Sequence, residues 1–497
     1  MTRTKRKPTL TEAIIPLVFL TVLISVNVLI FGADSLDGSN QIVLIFSASV
    51  AALIAYRMGF TWDDLLNGIV KSIGAAMPSI LILFLIGSLA GTWMLSGIIP
   101  SMIYYGLQIL NPTIFLVAAC IICAIVSIAT GTSWGTVATV GVALLGIGTA
   151  LGLPEGMVGG AIISGAYLGD KFSPLSDTTN LSVGMAGADL FTHLRYMVYT
   201  TVPAMVITLI LFGLIGIFRP QDGQYQDVTP LLHAIDEAVY ITPFLFIVPG
   251  LVIFLIVRKA PAIPALFAGT LAGALFALIF QPHVIREIGG ADSTFALASF
   301  VAIMKAMYTD INIASAHPVA NDLLQTSGMS GMLKTVWLIL CAMVFGGVME
   351  GSGMLQRITE SIIRFARSTG SLVASTVSTS VFLNLTASDQ YLSLVIPGRM
   401  FADTYRKQRL KPHVLSRTLQ DSGTVTSALV PWNTCGATQA AVLGISPFSF
   451  IPYAFFNIIT PFITIAIAYM NFKIHRYPEV PKEQISEEQQ PDSGSNP

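Results

Sequence analysis

Charge is what this chain has least of. Only 11% of its 497 residues are Asp, Glu, Lys or Arg, against about a quarter in an ordinary soluble domain. The 26 basic and 27 acidic side chains leave a formal net charge of −1, which gives no surface for nucleic acid. Cysteine is scarce as well: Cys120, Cys123, Cys341 and Cys435 all lie in apolar runs. The C-x-x-C spacing of the first two has no second pair and no nearby histidine, so it reads as small core side chains, not a redox or metal motif. Neither G-x-x-x-x-G-K-[ST] nor H-E-x-x-H occurs, which argues against nucleotide-driven pumping and zinc hydrolysis.

What is present is apolar length. Hydrophobic residues make up 54% of the chain and mean hydropathy is +0.74. Segments of spanning quality fall at 13–31, 42–58, 73–93, 113–130, 133–150, 157–188 (interrupted) and 197–218. A second set falls at 241–257, 262–280, 333–350, 372–387, 390–401, 419–444 (interrupted) and 451–470. A further apolar piece, 295–304, reads as re-entrant or peripheral. The first run is too long for a signal h-region and lacks a small-residue cleavage site, so it reads as a transmembrane helix. The class is all-α: a polytopic membrane protein of about seven plus seven segments, embedded in the lipid bilayer.

Charge placement orients it. Arg3, Lys5, Arg6 and Lys7 precede the first span, and Arg399, Arg406, Lys407, Arg409, Lys411 and Arg417 form the densest basic cluster. Under the positive-inside bias both fall in the cytoplasm, with both termini. The expected organisation is a basic cytoplasmic arm (1–12), a first transmembrane repeat (13–218), an external linker (219–240), a second repeat (241–471) and a polar, disordered cytoplasmic tail (472–497).

The halves overlay at an offset of about 256 residues. Ser96-Gly97 falls on Ser352-Gly353, Thr130 on Thr386, and Ser133 on Asp389. F-S-P-L-S-D-T-T-N with Pro174 falls on A-L-V-P-W-N-T-C-G with Pro431. An odd number of spans per half inverts the second against the first. Inverted repeats with helices interrupted at corresponding positions are the signature of a secondary transporter, whose site lies where the breaks meet.

The chemistry concentrates in residues 165–180, G-A-Y-L-G-D-K-F-S-P-L-S-D-T-T-N. Carboxylates between membrane-grade segments are costly and usually functional. Asp170, Ser173, Ser176, Asp177, Thr178, Thr179 and Asn180 offer the oxygens a hard cation needs, with Asp170 and Asp177 as candidate Na+ ligands. The bland alternative is a polar loop in which Lys171 neutralises Asp170. Asp389 and Asp421 add carboxylates from the second half, although Asp421, four residues after Arg417, also suits a simple pairing with the basic loop. Asn433, Thr434 and Thr438 would contribute neutral ligands, or a small-residue packing face. Thr132, Ser133 and Thr136 suit either a second break lining the pathway or tight packing, and His317 reads as a loop histidine rather than a pH-responsive group.

Residues 160–180, with F-T-H-L-R-Y at 191–196 and V-P-W-N-T-C-G-A at 430–437, resemble the NhaC family of sodium/proton antiporters. The similarity extends over roughly 42–469. It implies exchange of Na+ for H+ across the bacterial inner membrane, with some members moving malate and lactate as well, and a related architecture implies a homodimer. It implies no cofactor, the energy coming from an ion gradient, and no enzymatic activity. It does not say which carboxylates bind.

Overall fold

A bilayer leaves backbone N–H and C=O groups no water to bond, and an α-helix satisfies them within itself. In the computed structural model, which describes residues 5–218 and 228–478, eight helices are long and apolar enough to span. They are Leu10–Phe31, Ser39–Arg57, Trp62–Leu95, Pro112–Thr130, Ser133–Ala150, Leu190–Phe218, Ala262–Phe280 and Ser330–Gly351. Their starts are set locally. Thr9 and Thr61 cap their helices and donate their own N–H groups to Glu12 and Asp64, a reciprocal box that satisfies two orphan donors. Asn111 caps the helix that opens on Pro112, where a missing N–H costs nothing. Large apolar side chains such as Leu29 and Phe218 cover the outside, while many Ser and Thr lie buried within.

Two bent pairs are also long and apolar enough among the described residues: Thr229–Ala238 with Pro243–Val257 (80°) and Thr434–Leu443 with Pro447–Tyr453 (93°). All fourteen expected segments carry helix, but several of the second set are short or polar: Thr369–Thr386 is rich in Ser and Thr, and Leu392–Lys407 and Phe455–Tyr469 have 16 and 15 residues. The piece at 295–304 is the helix Phe295–Tyr308, packed against Trp62–Leu95 through a Ser88 hydroxyl that donates to the Met307 carbonyl (3.0 Å). Between it and the next span lies an antiparallel pair of two-residue strands, Ile311–Asn312 with Gln325–Thr326, which the apolar pattern does not announce. Parts of the expected arm (1–4), linker (219–227) and tail (479–497) lie outside the described residues.

The order of elements recurs at the spacing seen in the sequence. Gly97 and Gly353 both turn left-handed before short helices. Pro112–Thr130 and Thr369–Thr386 end at matched positions. Ser176 and Asn433 cap matched helices, which close on left-handed Gly187 and Gly444. Each half therefore supplies one broken helix, and the breaks lie in the interior. Packing there is close enough to exclude side chains. A Cβ on Gly165, in the helix Glu155–Phe172, would stand 2.1 Å from the Cys120 carbonyl oxygen.

The last described residues fold back onto the basic cluster. The Lys411 N–H donates to the His475 carbonyl (3.0 Å) and the Tyr477 N–H to that of Arg409 (2.8 Å). His413 Nε2 and His475 Nδ1 share a proton across 2.8 Å, and the Tyr196 ring lies 4.7 Å from both imidazoles.

Two outcomes follow. Gly165→Ala is expected to cost about 1–3 kcal/mol through overpacking, read as a lower melting midpoint in detergent. Gly184→Ala, with open space around its Cβ, is expected to leave the midpoint unchanged or slightly raised. The second concerns His475, whose imidazole is held below its ordinary value by burial first, then by Lys411, Arg417 and Lys473. The unfolded strap therefore takes up a proton more readily than the folded one, so the strap's stability is present above about pH 6.5 and lost as pH falls below it. Hydrogen exchange at residues 471–478, corrected for intrinsic rate, should rise between pH 7.5 and 5.5 by this argument. His475→Ala should remove that dependence.

Candidate functional site

The first break is made by proline. Glu155–Phe172 stops where Ser173 turns extended (φ −90°, ψ 134°) ahead of Pro174, as the residue before proline tends to. Asp177–Ala186 starts three residues later, its N-cap Ser176 accepting the Thr179 N–H. Asp170 occupies the last turn before the break and is 5% exposed. Its Oδ2 accepts from the Ser133 hydroxyl (2.7 Å), and its Oδ1 from those of Ser176 (2.7 Å) and Thr178 (3.3 Å). Among the described residues no basic side chain comes within ion-pair distance of this carboxylate.

Two loops of the second half cross beside each other. After Thr369–Thr386 the chain turns left-handed at Ser388 (φ 56°), and buried Asp389 accepts the Leu392 N–H at 2.9 Å. The other break ends at Asn433, which caps Thr434–Leu443 and donates to the Asn384 carbonyl (3.1 Å). The Thr434 N–H donates to the Ser388 carbonyl (3.0 Å). Asn384 reaches on to the Gly423 carbonyl (2.8 Å) and the Thr426 hydroxyl (2.9 Å). Gly423 belongs to a wide turn, Gln420–Thr424, inserted in the helix that starts at Pro412. Such bulges recur at functional sites.

Three side-chain contacts join the halves here. Gln420 donates to the Thr179 hydroxyl (2.7 Å), which itself donates to the Asp170 carbonyl (3.1 Å). Tyr391 donates to the Asp177 carboxylate. Lys171 Nζ stands 2.6 Å from Asp421 Oδ1, with both side chains fully buried. Asp421 also accepts from Thr464 and lies 4.0 Å from Arg417 Nε.

The expected residues thus divide. Ser176 and Thr178 stand on Asp170, joined by Ser133. Asp177 is exposed, linked to the cluster by Thr178, whose amide it accepts at 2.8 Å. Ser173 and Asn180 serve the turn itself, donating to the carbonyls of Ile128 and of Pro174 and Ser176. The Thr434 hydroxyl donates to its neighbour Asn433 (3.4 Å), and the buried Thr438 hydroxyl has no partner. Lys171 neutralises Asp421 instead of Asp170. His317 lies apart, at the start of Pro318–Leu323. Sequence reasoning passed over Asn384, Gln390, Tyr391 and Gln420. The available signal was an amide or phenol embedded in an apolar stretch beside a break. Residues 131–135, G-T-S-W-G, do spell the G-x-S-x-G pattern, but Ser133 donates to a carboxylate and follows a helix, where a nucleophile elbow follows a strand.

Chemically, Asp170 offers one carboxylate ringed by hydroxyls that can donate to it or turn their lone pairs toward a cation. This is a hard oxygen set, suited to an alkali or alkaline-earth ion and unsuited to a soft metal. Among the described residues no group of three or more His, Cys, Asp or Glu side chains gathers as a metal site.

The model of the Na+/H+ antiporter family matches residues 165–472. The chain is 38% identical to the malate-2H+/Na+-lactate antiporter of Bacillus subtilis, covering 93% of this chain and 95% of the relative. It is 36% identical to the Na+/H+ antiporter NhaC of Alkalihalophilus pseudofirmus, covering 87% and 91%. It is 31% identical to the arginine/ornithine antiporter ArcD of Halobacterium salinarum, covering 95% and 94%.

The buried pair makes an asymmetric prediction. Lys171→Met leaves Asp421 with Arg417 and Thr464, whereas Asp421→Asn leaves two buried cations facing no carboxylate. Breaking a buried pair costs about 3–5 kcal/mol, and melting midpoints should fall further for Asp421→Asn than for Lys171→Met. Equal losses would remove Arg417 from the account.

Proposed function

The chain belongs to the NhaC-type Na+/H+ antiporter family, and from that premise we propose that it exchanges Na+ for H+ across the bacterial cytoplasmic membrane by alternating access. The observation that carries this reading is Asp170: a buried carboxylate at a helix break, held by three hydroxyls and, among the described residues, by no basic side chain. A permanent cation there would compete with Na+. Hydroxyls alone leave the carboxylate free to exchange one monovalent cation for another, Na+ for a proton.

In this reading Asp170 is the principal Na+ ligand, with Ser133, Ser176 and Thr178 completing its oxygens. Asp177, exposed and tied to Tyr391, guides the ion to the break. Asp389, buried with a backbone N–H on its carboxylate, is the proton carrier. Asp421 is committed to Lys171 and holds the halves together. Asn433, through Asn384, fixes the second break. Residues 13–218 and 241–471 act as two inverted repeats that rock about the crossing loops, with both termini cytoplasmic and the chain paired as a homodimer. The ion gradient supplies the energy, so no cofactor enters.

A second reading, exchange of malate for lactate coupled to Na+ and H+, is favoured by the buried cations Lys171 and Arg417 beside the carboxylates, an arrangement that suits an anionic substrate.

The test uses purified protein in liposomes loaded with a pH dye. Added Na+ should drive proton movement in the wild type without any organic acid. Asp170→Asn should lower the rate at least a hundredfold, and Asp177→Asn should mainly raise the Na+ concentration required. Intact transport in Asp170→Asn would overturn the site. Proton movement that needs malate or lactate would favour the second reading.

A further inference from the structure

Arg417 is buried with almost nothing to bind. Its side chain is fully enclosed, and Nε, Nη1 and Nη2 are all without a hydrogen-bond partner. One carboxylate is near, Asp421 at 4.0 Å from Nε, and that group is already held by Lys171 at 2.6 Å and by Thr464. Arg417 stacks one face of its guanidinium 4.3 Å over the Tyr196 ring. Stacking compensates the face of the cation but leaves the N–H edge empty. A guanidinium cannot shed its proton to escape burial, so with Lys171 and Asp421 balancing each other, Arg417 is a surplus positive charge in an apolar interior. Such an arrangement is among the least favourable a protein can hold unless an anion completes it.

The neighbours repeat the theme. His193 bonds through Nδ1 to the Ser416 hydroxyl (2.7 Å), next to Arg417 in sequence, and its buried Nε2 is without a partner. The Tyr196 Oη is buried and without a partner too. The charged and titratable groups around Arg417 are Lys171, Asp421, His193, Tyr196, His413, Tyr405 and His475, and among the described residues Asp421 is the one carboxylate of this set.

We propose that this cluster is a binding site for the carboxylate of a small organic anion, gripped by both prongs of Arg417 with His193 and Tyr196 as adjoining hydrogen-bond groups. The planar fork of arginine matches the two oxygens of a carboxylate, and one surplus positive charge calls for one negative charge. The proposal rests on the second reading above, exchange of organic acids, and adds the residues that would hold the carboxylate. The site is enclosed in this conformation, so the anion enters when the repeats open. It adjoins the cation site through one peptide bond: Asp170 faces the hydroxyls and Lys171 faces Asp421. Filling one site therefore bears on the helix end that builds the other.

The experiment is equilibrium binding of radiolabelled lactate to the purified full chain in detergent, with acetate, succinate, chloride and sulfate as competitors at matched ionic strength. Saturable lactate binding displaced by carboxylates and not by chloride supports the site. Arg417→Lys, which keeps the charge and loses the fork, should weaken binding at least tenfold, and His193→Gln by a smaller factor. If Arg417→Lys gives no cooperative melting transition, His193→Gln decides alone. No saturable binding in the wild type, displacement by chloride as good as by acetate, or undiminished affinity in the folded variants would each overturn the proposal. Na+-driven proton movement without organic acid, measured on the same preparation, judges the cation reading alone, so the two failures are separable.

Discussion

Lys171 and Asp421 meet at 2.6 Å with neither side chain exposed, one from each half of the chain. In an apolar interior an unpaired charge of either sign is so costly that the pair fixes where the halves can meet. Beside it lie two further bonds between the halves: Gln420 on Thr179 and Tyr391 on Asp177. The broken ends of Glu155–Phe172 and the wide turn Gln420–Thr424 are thereby held side by side. A transport cycle that moves one repeat against the other must either carry this pair intact as part of one rigid body or supply a new partner to each charge.

Asp170 and Lys171 are consecutive, yet they serve different partners. Successive residues on an α-helix point about 100° apart, so a lysine beside an aspartate in sequence does not face it. Asp170 turns toward the start of Ser133–Ala150 and the cap of Asp177–Ala186, where hydroxyls wait. Lys171 turns toward Asp421 and the Phe456 ring, 5.3 Å away. The division leaves Asp170 without a basic partner among the described residues, the condition under which a carboxylate can hold one monovalent cation or another in turn. Had the lysine sat three or four places away, the two would share a face and cancel.

Much of this was legible in the chain. The excess of apolar length marked a polytopic α-helical protein, Pro174 and Pro431 marked the breaks, and the repeat offset paired them. The surroundings of Asp170 followed from hydroxyls clustered beside a proline. What could not be read was direction and depth. Nothing in D-K indicates which of several interior carboxylates the lysine meets, because its partner is some 250 residues distant. Asp177 looked equivalent to Asp170, but it opens a new helix on the exposed side of the break. The bends within the spans were not legible either. A hydropathy window registers the length of a run and not the bend within it, so Thr434–Leu443 and Pro447–Tyr453 read as continuations of longer spans although they meet at 93°.

The hydroxyls show why breaks make sites. Many buried Ser and Thr side chains here are consumed by their own helices. Thr139, Ser182, Thr376, Thr379, Thr418 and Thr460 each donate to the carbonyl four residues back, a local bond that removes them from the pool of ligands. A residue at a helix cap or in its first turn has no helical carbonyl four places behind it. Thr132 caps the helix that Ser133 opens, Ser176 is the cap of the next broken segment, and Thr178 lies in that segment's first turn. Ser133, Ser176 and Thr178 all turn outward to Asp170. A continuous helix through residues 165–186 would carry the same hydroxyls and spend them on its own backbone. The proline that interrupts it frees them, so the break is what turns these hydroxyls from their own backbone to the Asp170 carboxylate.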